Sequence, residues 1–497
     1  MKLTDLIYLL PEVILLLGAA LVFVLDILWL RRAMSAERRF SWLAGAALIV
    51  LLLAAFGLIP SQDQTATVAT MLSVDPFAIF FKALAIMGVA LVILIAMPYL
   101  KGRTAYGGEF YALLLITALA ICFAVSANNL ILIYLSMEFL SITSYVLAGY
   151  LRQDRKSGEA ALKYFLYGAT ASAVMLYGMS LLYGATGTTD LVQMATILGA
   201  RAQGELAWLV TPAVLMLLVG FGFKASLVPF HQWAPDTYEG APTPVTAFLS
   251  TASKATGFAI LMRVLLTAFG SQPITGIWMT LLVAVSVLTM TLGNLTALRQ
   301  TNIKRLLAYS SIAQAGYVLI GVAAVSADPR LTFNGINGVL IYLLAYLFTN
   351  VGAFAVVTAI ETETGKVELG DYTGLIRRSP WLAALLLIFL LSLAGIPPTG
   401  GFLGKFFVFG AAVYRQMWVL LAIAAINTVV AAFYYLNIVR YMFLTPPEEQ
   451  EVRVSVSPAF GAVLGITALV TLLLGIIPGP LIAWASDSAR ILLAALR

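Results

Sequence analysis

Cysteine and histidine are almost missing from this chain: of its 497 residues one is cysteine, Cys122, and one is histidine, His231. A single thiol excludes a thiolate-held cluster, and with one imidazole the chain offers no transition-metal ligand set. Neither a glycine-rich phosphate loop nor a dinucleotide fingerprint occurs, so any redox cofactor that matters belongs to a partner. Charge is scarce as well. Asp, Glu, Lys and Arg make up 10% of the residues against 61% that are hydrophobic, a balance that excludes a soluble domain.

What is present instead is a succession of apolar runs of around twenty residues, the length that crosses a hydrocarbon core of about 30 Å. About fourteen such spans can be drawn, among them 207–231, 382–413 and 457–486, so the fold class is all-α and polytopic. The first run, after Lys2 and Asp5, lacks a small-residue cleavage site and reads as a retained span. The net charge of +6 comes from loop basics and sets orientation. Arg31, Arg32, Arg38, Arg39, Arg155, Lys156, Arg377, Arg378 and Arg453 fall on one side, with most of the other loop basics. Lys2, Arg201, Arg330, Arg415, Arg490 and Arg497 fall on the other. The richer side is cytoplasmic by the positive-inside rule, which places both termini outside.

Against this background, ionisable residues inside the spans stand out: Glu138, Lys163, Lys224, Lys254 and Lys405. Each is costly in hydrocarbon, and a row of them is the signature of an ion or proton path. Lysines and arginines near helix ends can instead reach the headgroups along their stems, the reading given to Lys82 and Arg263. Glu138 and Lys254 lie about ten residues from either end of their spans, near the midplane, where that escape is closed. Spacing alone leaves Lys163 open between the two readings, because it follows closely on the polar run 152–159.

Two spans carry built-in breaks. The seventh is interrupted at Pro229, between Lys224 and His231. The twelfth contains Ala394-Gly-Ile-Pro-Pro-Thr-Gly-Gly-Phe-Leu-Gly-Lys405, whose prolines cannot donate to a helix. Broken backbone at membrane depth is tolerated only inside protein or along a wet cavity. The breaks stand about 168 residues apart and other span starts share that offset. The expected organisation is therefore an N-terminal three-helix segment (1–105), two five-helix repeats (106–270 and 271–445) and a C-terminal helix (446–497). Five being odd, the repeats enter the membrane from opposite sides, a frequent transporter arrangement.

On these residues the chain resembles the antiporter-like subunits of the respiratory complex I superfamily, shared with multisubunit Na+/H+ antiporters and membrane-bound hydrogenases. The resemblance is carried by Leu135-Ser-Met-Glu138-Phe-Leu, Phe223-Lys224-Ala-Ser-Leu-Val-Pro-Phe-His231-Gln-Trp-Ala-Pro-Asp236, Lys304-Arg-Leu-Leu-Ala-Tyr-Ser-Ser-Ile-Ala313 and Gly395-Ile-Pro-Pro-Thr-Gly-Gly-Phe-Leu-Gly-Lys405. It extends over about residues 70–445. The opening Leu10-Pro-Glu-Val-Ile-Leu, the lysine at 405 and the lack of a long lateral helix narrow it to one subunit type.

The resemblance implies a proton-translocating membrane-arm subunit, in the bacterial plasma membrane, with no cofactor of its own. NADH or ferredoxin, FMN, iron–sulfur clusters and quinone would belong to partner subunits. Its neighbours would be other membrane-arm subunits, a second antiporter-like chain and small helical ones. Glu138 and Lys224 become a charged switch pair, Lys163 and Lys254 relays, Lys405 the terminal site, and His231 an aid between Lys224 and Lys254. Gln314 stands where many relatives have histidine, so passage there would need ordered water. The rival readings are a subunit of a cation/proton antiporter without redox partners, and a scaffold whose charges are structural ion pairs.

Pairing of opposite charges restores ionisation that burial disfavours, so separating the pair is a means of loading and releasing a proton. The amine of Lys405, just past a break, is expected to reach water, and Lys405→Glu to work better than Lys405→Leu.

Overall fold

A computed structural model of the chain describes all residues except 1–2, 31–34, 63, 202–206, 271–273, 329–330, 447–455 and 495–497. Of the charges used to orient the chain, Lys2, Arg31, Arg32, Arg330, Arg453 and Arg497 lie outside the described residues. Among the described residues, thirteen helices are long and apolar enough to cross a membrane. Two shorter helices, on either side of the proline-rich break, supply the remaining crossing.

The N-terminal segment is α1 (Leu10–Leu25), α2 (Ala36–Phe56) and α3 (Pro76–Tyr99). A hairpin joins α2 to α3, pairing Ala66–Val68 antiparallel to Leu72–Val74 with Ala66 opposite Val74. Next come α4 (Gly107–Ser126), α5 (Leu130–Ala148), α6 (Arg155–Thr186) and α7 (Ala207–Ala225). The short α8 (Trp233–Gly240) follows the first break, and α9 (Thr243–Ala268) returns across the membrane. The second half runs α10 (Ile274–Ala297), α11 (Ile303–Ala323), α12 (Ile336–Thr364), α13 (Pro380–Ala394), α14 (Gly400–Tyr414) and α15 (Trp418–Leu444). The expected last span, 457–486, is two helices, α16 (Pro458–Ile476) and α17 (Gly479–Ala494). Pro478 lies between them and has no N–H with which to continue the ladder.

Several starts are specified by single side chains. Asn129 accepts from the Ile131 N–H, Asp154 from Lys156 and Asn302 from Lys304 and Arg305. Each satisfies a backbone donor that the first turn leaves without a partner. Inside the bundle, α9 and α12 are buried throughout their most apolar stretches and α11 nearly so. A helix apolar all round belongs at the centre, and its rare polar residues then face other helices rather than lipid. These three helices carry Lys254, Gln314 and Asn350, so burial alone gathers polar groups on the bundle axis.

Two assignments made from spacing are overturned. Lys82 does not extend to the headgroups: it is 3% exposed and its amine lies 2.6 Å from the Glu12 carboxylate of α1. Arg263 is 4% exposed and grips Asp75, with Nη1 at 2.8 Å from Oδ2 and Nη2 at 3.0 Å from Oδ1. Its Nε donates to the Val125 carbonyl. The partners lie far away in sequence, and only folding shows that a buried counter-charge removes the need for water. The first pair joins α1 to α3 within the N-terminal segment, and the second ties that segment to α9. Removing one partner of such a pair costs about 3–5 kcal/mol, because the other is left buried and uncompensated.

Candidate functional site

Both breaks are built alike. At the first, α7 stops and Ser226 turns left-handed at φ 57°, with the Leu227 N–H reaching back to the Gly222 carbonyl. At the second, α13 stops and Gly395 takes the same turn at φ 88°, with the Ile396 N–H reaching back to Leu391. A left-handed residue followed by a donor that reaches back five residues is a helix-ending motif. At Gly395 a side chain would also collide with Lys405, whose Cδ lies 2.8 Å from where a Cβ would sit. Cis prolyl bonds follow, Val228–Pro229 and Pro397–Pro398, before the chain resumes as α8 and α14.

Each break leaves main-chain carbonyls at membrane depth, and both sets are met. The indole N–H of Trp233 donates to the Phe223 carbonyl, bridging α7 and α8 at 3.0 Å. The Lys405 ammonium donates to the carbonyls of Leu393 at 3.2 Å and Ala394 at 2.9 Å, and lies 4.8 Å from the Tyr317 ring centre. Lys405 is 4% exposed. Its amine therefore turns inward to the end of α13 rather than outward to water, since those carbonyls and the ring face are closer electron-rich partners.

Lys224 and Lys254 are each 2% exposed. Lys224 donates to Ser141 at 3.2 Å and, at 3.5 Å, to the Tyr164 hydroxyl. Glu138 is half-buried and accepts instead from the Ser172 hydroxyl. Among the described residues Glu138 and Lys224 form no ion pair within 4 Å, although Ser141 lies one turn from Glu138 on α5. Glu138 and Lys224 are thus each held by a different hydroxyl, Ser172 and Ser141. Lys254 follows a π-turn, Leu249–Ser253, that interrupts α9 directly before it. Such turns change which way the next residue points and are frequent at functional positions. Its amine meets both the carbonyl of Ser311 at 2.8 Å and that residue's hydroxyl at 2.5 Å. From the neighbouring Ser310 on α11, bonds lead through Tyr435 and Gln314 to the Leu393 carbonyl that Lys405 also uses. Lys254 and Lys405 thus flank one buried line of polar residues, interrupted between the side chains of Ser311 and Ser310, which share no bond among the described residues.

Two expected members lie elsewhere. Lys163 is half-buried and pairs with Glu159 and Asp236, each at 2.7 Å, at one end of the bundle. There Arg305 binds Asp236 at 2.6 Å and Glu239 at 3.1 Å, and Lys156 binds Glu239 at 2.9 Å. These groups line a cavity of about 110 Å³. Burial works against ionisation of Asp236 and Glu239. Even so, hydrogen bonds from Lys163 and Arg305 to the first, and from Lys156 and Arg305 to the second, hold both carboxyls below the usual range. A lowered carboxyl supports the folded form above its unfolded pKa, and that support is lost only as pH falls through the lowered value. The cluster is therefore closed at neutral pH. His231 is 8% exposed in the first break, and its Nδ1 meets no hydrogen-bond partner among the described residues. Its ring is not hydrogen-bonded to either lysine.

Sequence reasoning missed the groups that hold these amines: Ser141, Tyr164, Ser311 and Tyr317. Hydroxyl residues are common in membrane helices, so composition gave no reason to choose them. Trp233 was missed too. It stacks on Tyr164 at 4.2 Å between centroids, so α8 touches the same ring that Lys224 approaches.

Lysines buried at hydrocarbon depth beside matched helix breaks define a class, the polytopic carriers that move ions through protein rather than around it. Residues 127–431 match the membrane domain of the NADH:quinone oxidoreductase/Mrp antiporter family, and the chain belongs to that family. It is 45% identical over 427 residues to NADH-quinone oxidoreductase subunit N of Desulfitobacterium hafniense, covering 84% of this chain and 85% of that one. Its fold superposes with a TM-score of 0.78 on a chain of respiratory complex I from Thermus thermophilus, 34% identical, covering 95% and 98% of the two. A chain of the Mrp complex from a Dietzia species shares the fold at 22% identity and a TM-score of 0.85, covering the whole of both.

Proposed function

We propose that this chain is the antiporter-like subunit N of a proton-translocating NADH:quinone oxidoreductase, carrying protons through buried Glu and Lys side chains while holding no redox centre. The observation that supports this most directly is the burial of Lys224, Lys254 and Lys405, the last two flanking a line of polar residues that includes Ser310, Ser311, Tyr435 and Gln314. Lys224 and Glu138 are the switch beside the first break. In the arrangement seen here Lys224 leans on neutral hydroxyls, and movement of its amine toward Glu138 closes the pair. Lys163 acts at the mouth of the first half, in the cluster with Asp236 and Arg305, rather than on the buried line. The two halves, 106–270 and 271–445, are inverted repeats, a reading supported by the matched helix-ending turns at Ser226 and Gly395.

The partners are the other membrane-arm subunits. The flavin, iron–sulfur clusters and quinone site lie in partner chains, with NADH or ferredoxin as donor. Purifying the tagged complex tests this: flavin- and iron–sulfur-bearing subunits should co-purify. A complex of membrane antiporter chains alone would replace this reading by the cation/proton antiporter.

The membrane is the bacterial plasma membrane, with the Lys163 cluster on the cytoplasmic side and both termini outside. Cys122 is buried and leaves a low background for thiol labelling. Gln193→Cys should react with an impermeant thiol reagent from outside. Arg155→Cys and Arg377→Cys should react only once the cytoplasmic face is opened. The opposite pattern would reverse the orientation.

A further inference from the structure

Asn350 sits at the middle of α12 and is 0% exposed. Its side chain makes one bond among the described residues: Nδ2 donates to Ser250 Oγ at 2.7 Å. The Oδ1 is buried and meets no partner there. A buried amide with an unpaired oxygen is costly, whereas an apolar side chain at the same place would not be. What the amide holds is therefore informative.

Ser250 belongs to the π-turn Leu249–Ser253, which puts one residue more into a turn of α9 than a regular helix has. The Ala247 carbonyl, just ahead of the turn, is met by two hydroxyls, Ser250 at 3.0 Å and Thr251 at 2.6 Å. Ser250 thus accepts from α12 while donating to its own helix. The link survives a half-turn of the amide, because the hydroxyl can donate as well as accept. Ala252, in the same turn, packs over Gly88 of α3, where a Cβ would sit 3.2 Å from that of Ala252. One helix bonds the turn and another makes room for it.

α9 is also held on both sides of the turn. Before it, Thr243 donates to the Glu361 carboxylate; after it, Arg263 grips Asp75. With both ends fixed, the extra residue stays in the helix, and loosening the turn lets it move along rather than vanish. Each residue of an α-helix advances it by about 100°. A turn that moved past Lys254 would swing that amine through the same angle, off the carbonyl and hydroxyl of Ser311 that it now meets.

We infer that Asn350 is a positioning residue for Lys254: through Ser250 it pins the π-turn at Leu249–Ser253, and the pinned turn aims the amine at Ser311. This rests on the proposal that Lys254 carries protons.

The test measures proton pumping per assembled complex. Asn350→Leu and Ser250→Ala should each pump about fivefold or more slowly than the wild type, the kinetic equivalent of one net hydrogen bond. Ser250→Thr keeps the hydroxyl and should pump faster than Ser250→Ala. A packing role predicts the opposite order, since alanine fits the buried site without strain and threonine adds a methyl group. In a Lys254→Ala background, neither Asn350→Leu nor Ser250→Ala should lower pumping further. Wild-type pumping by assembled Asn350→Leu, Ser250→Ala faster than Ser250→Thr, or a further fall in the Lys254→Ala background would each overturn the inference. If Asn350→Leu does not assemble, the Ser250 pair decides alone. If Lys254→Ala itself pumps normally, the underlying proton path fails instead.

Discussion

Lys224→Ala is expected to leave the complex assembled and to cut quinone-coupled proton pumping about tenfold or more. The amine is 2% exposed and is held by neutral hydroxyls of Ser141 and Tyr164. Glu138, one turn from Ser141, is the carboxylate its amine would pair with. Alanine removes the one charged side chain of α7 and leaves the half-buried Glu138 carboxyl with the Ser172 hydroxyl. About 1.4 kcal/mol added to the transfer barrier already means a factor of about ten. Lys224→Arg is the sharper variant. A guanidinium keeps the charge and the hydrogen bonds but stays protonated at any accessible pH, so it cannot release what it binds. Normal pumping by an assembled Lys224→Arg complex would show that Lys224 holds a place in the structure without handling protons.

How far the sequence alone leads can be judged from the same residues. The positions of Lys224, Lys254 and Lys405 were legible because charge inside an apolar run is rare enough to be informative one residue at a time. The breaks were legible for the same kind of reason: proline's missing donor and glycine's left-handed turns are local properties. The all-α class followed from run length. What the chain could not reveal by itself was the partner of each charge. Lys82 and Arg263 looked like end-of-helix residues because depth was the only variable available. Their carboxylates, Glu12 and Asp75, come from other helices. The distance between Glu138 and Lys224 was equally hidden, since it depends on which way α5 and α7 face. Lys163 shows the limit most clearly. Its position in a span was correct, but two carboxylates at 2.7 Å hold it at the bundle's end, away from the buried line.

The structure also changes what Lys405 variants should do. Spacing alone suggested an amine in water, for which glutamate would be a tunable substitute. In the fold, the group at that position faces the carbonyl oxygens of Leu393 and Ala394 and the face of Tyr317, all of them electron-rich. A carboxylate placed there is repelled from every side and can stay only by taking up a proton and donating it to one carbonyl. Leucine avoids the repulsion but leaves the Ala394 carbonyl without the donor it has in the wild type, a loss of about 1–3 kcal/mol for a buried acceptor. Both variants should therefore pump about tenfold or more slowly than the wild type, and Lys405→Glu should also assemble less well than Lys405→Leu. Pumping rate per assembled complex, read beside the yield of complex, separates the two effects. If Lys405→Glu assembles fully and keeps half or more of the wild-type rate, the amine is not held by the end of α13 in the working enzyme. Its inward bonds would then describe a resting arrangement only.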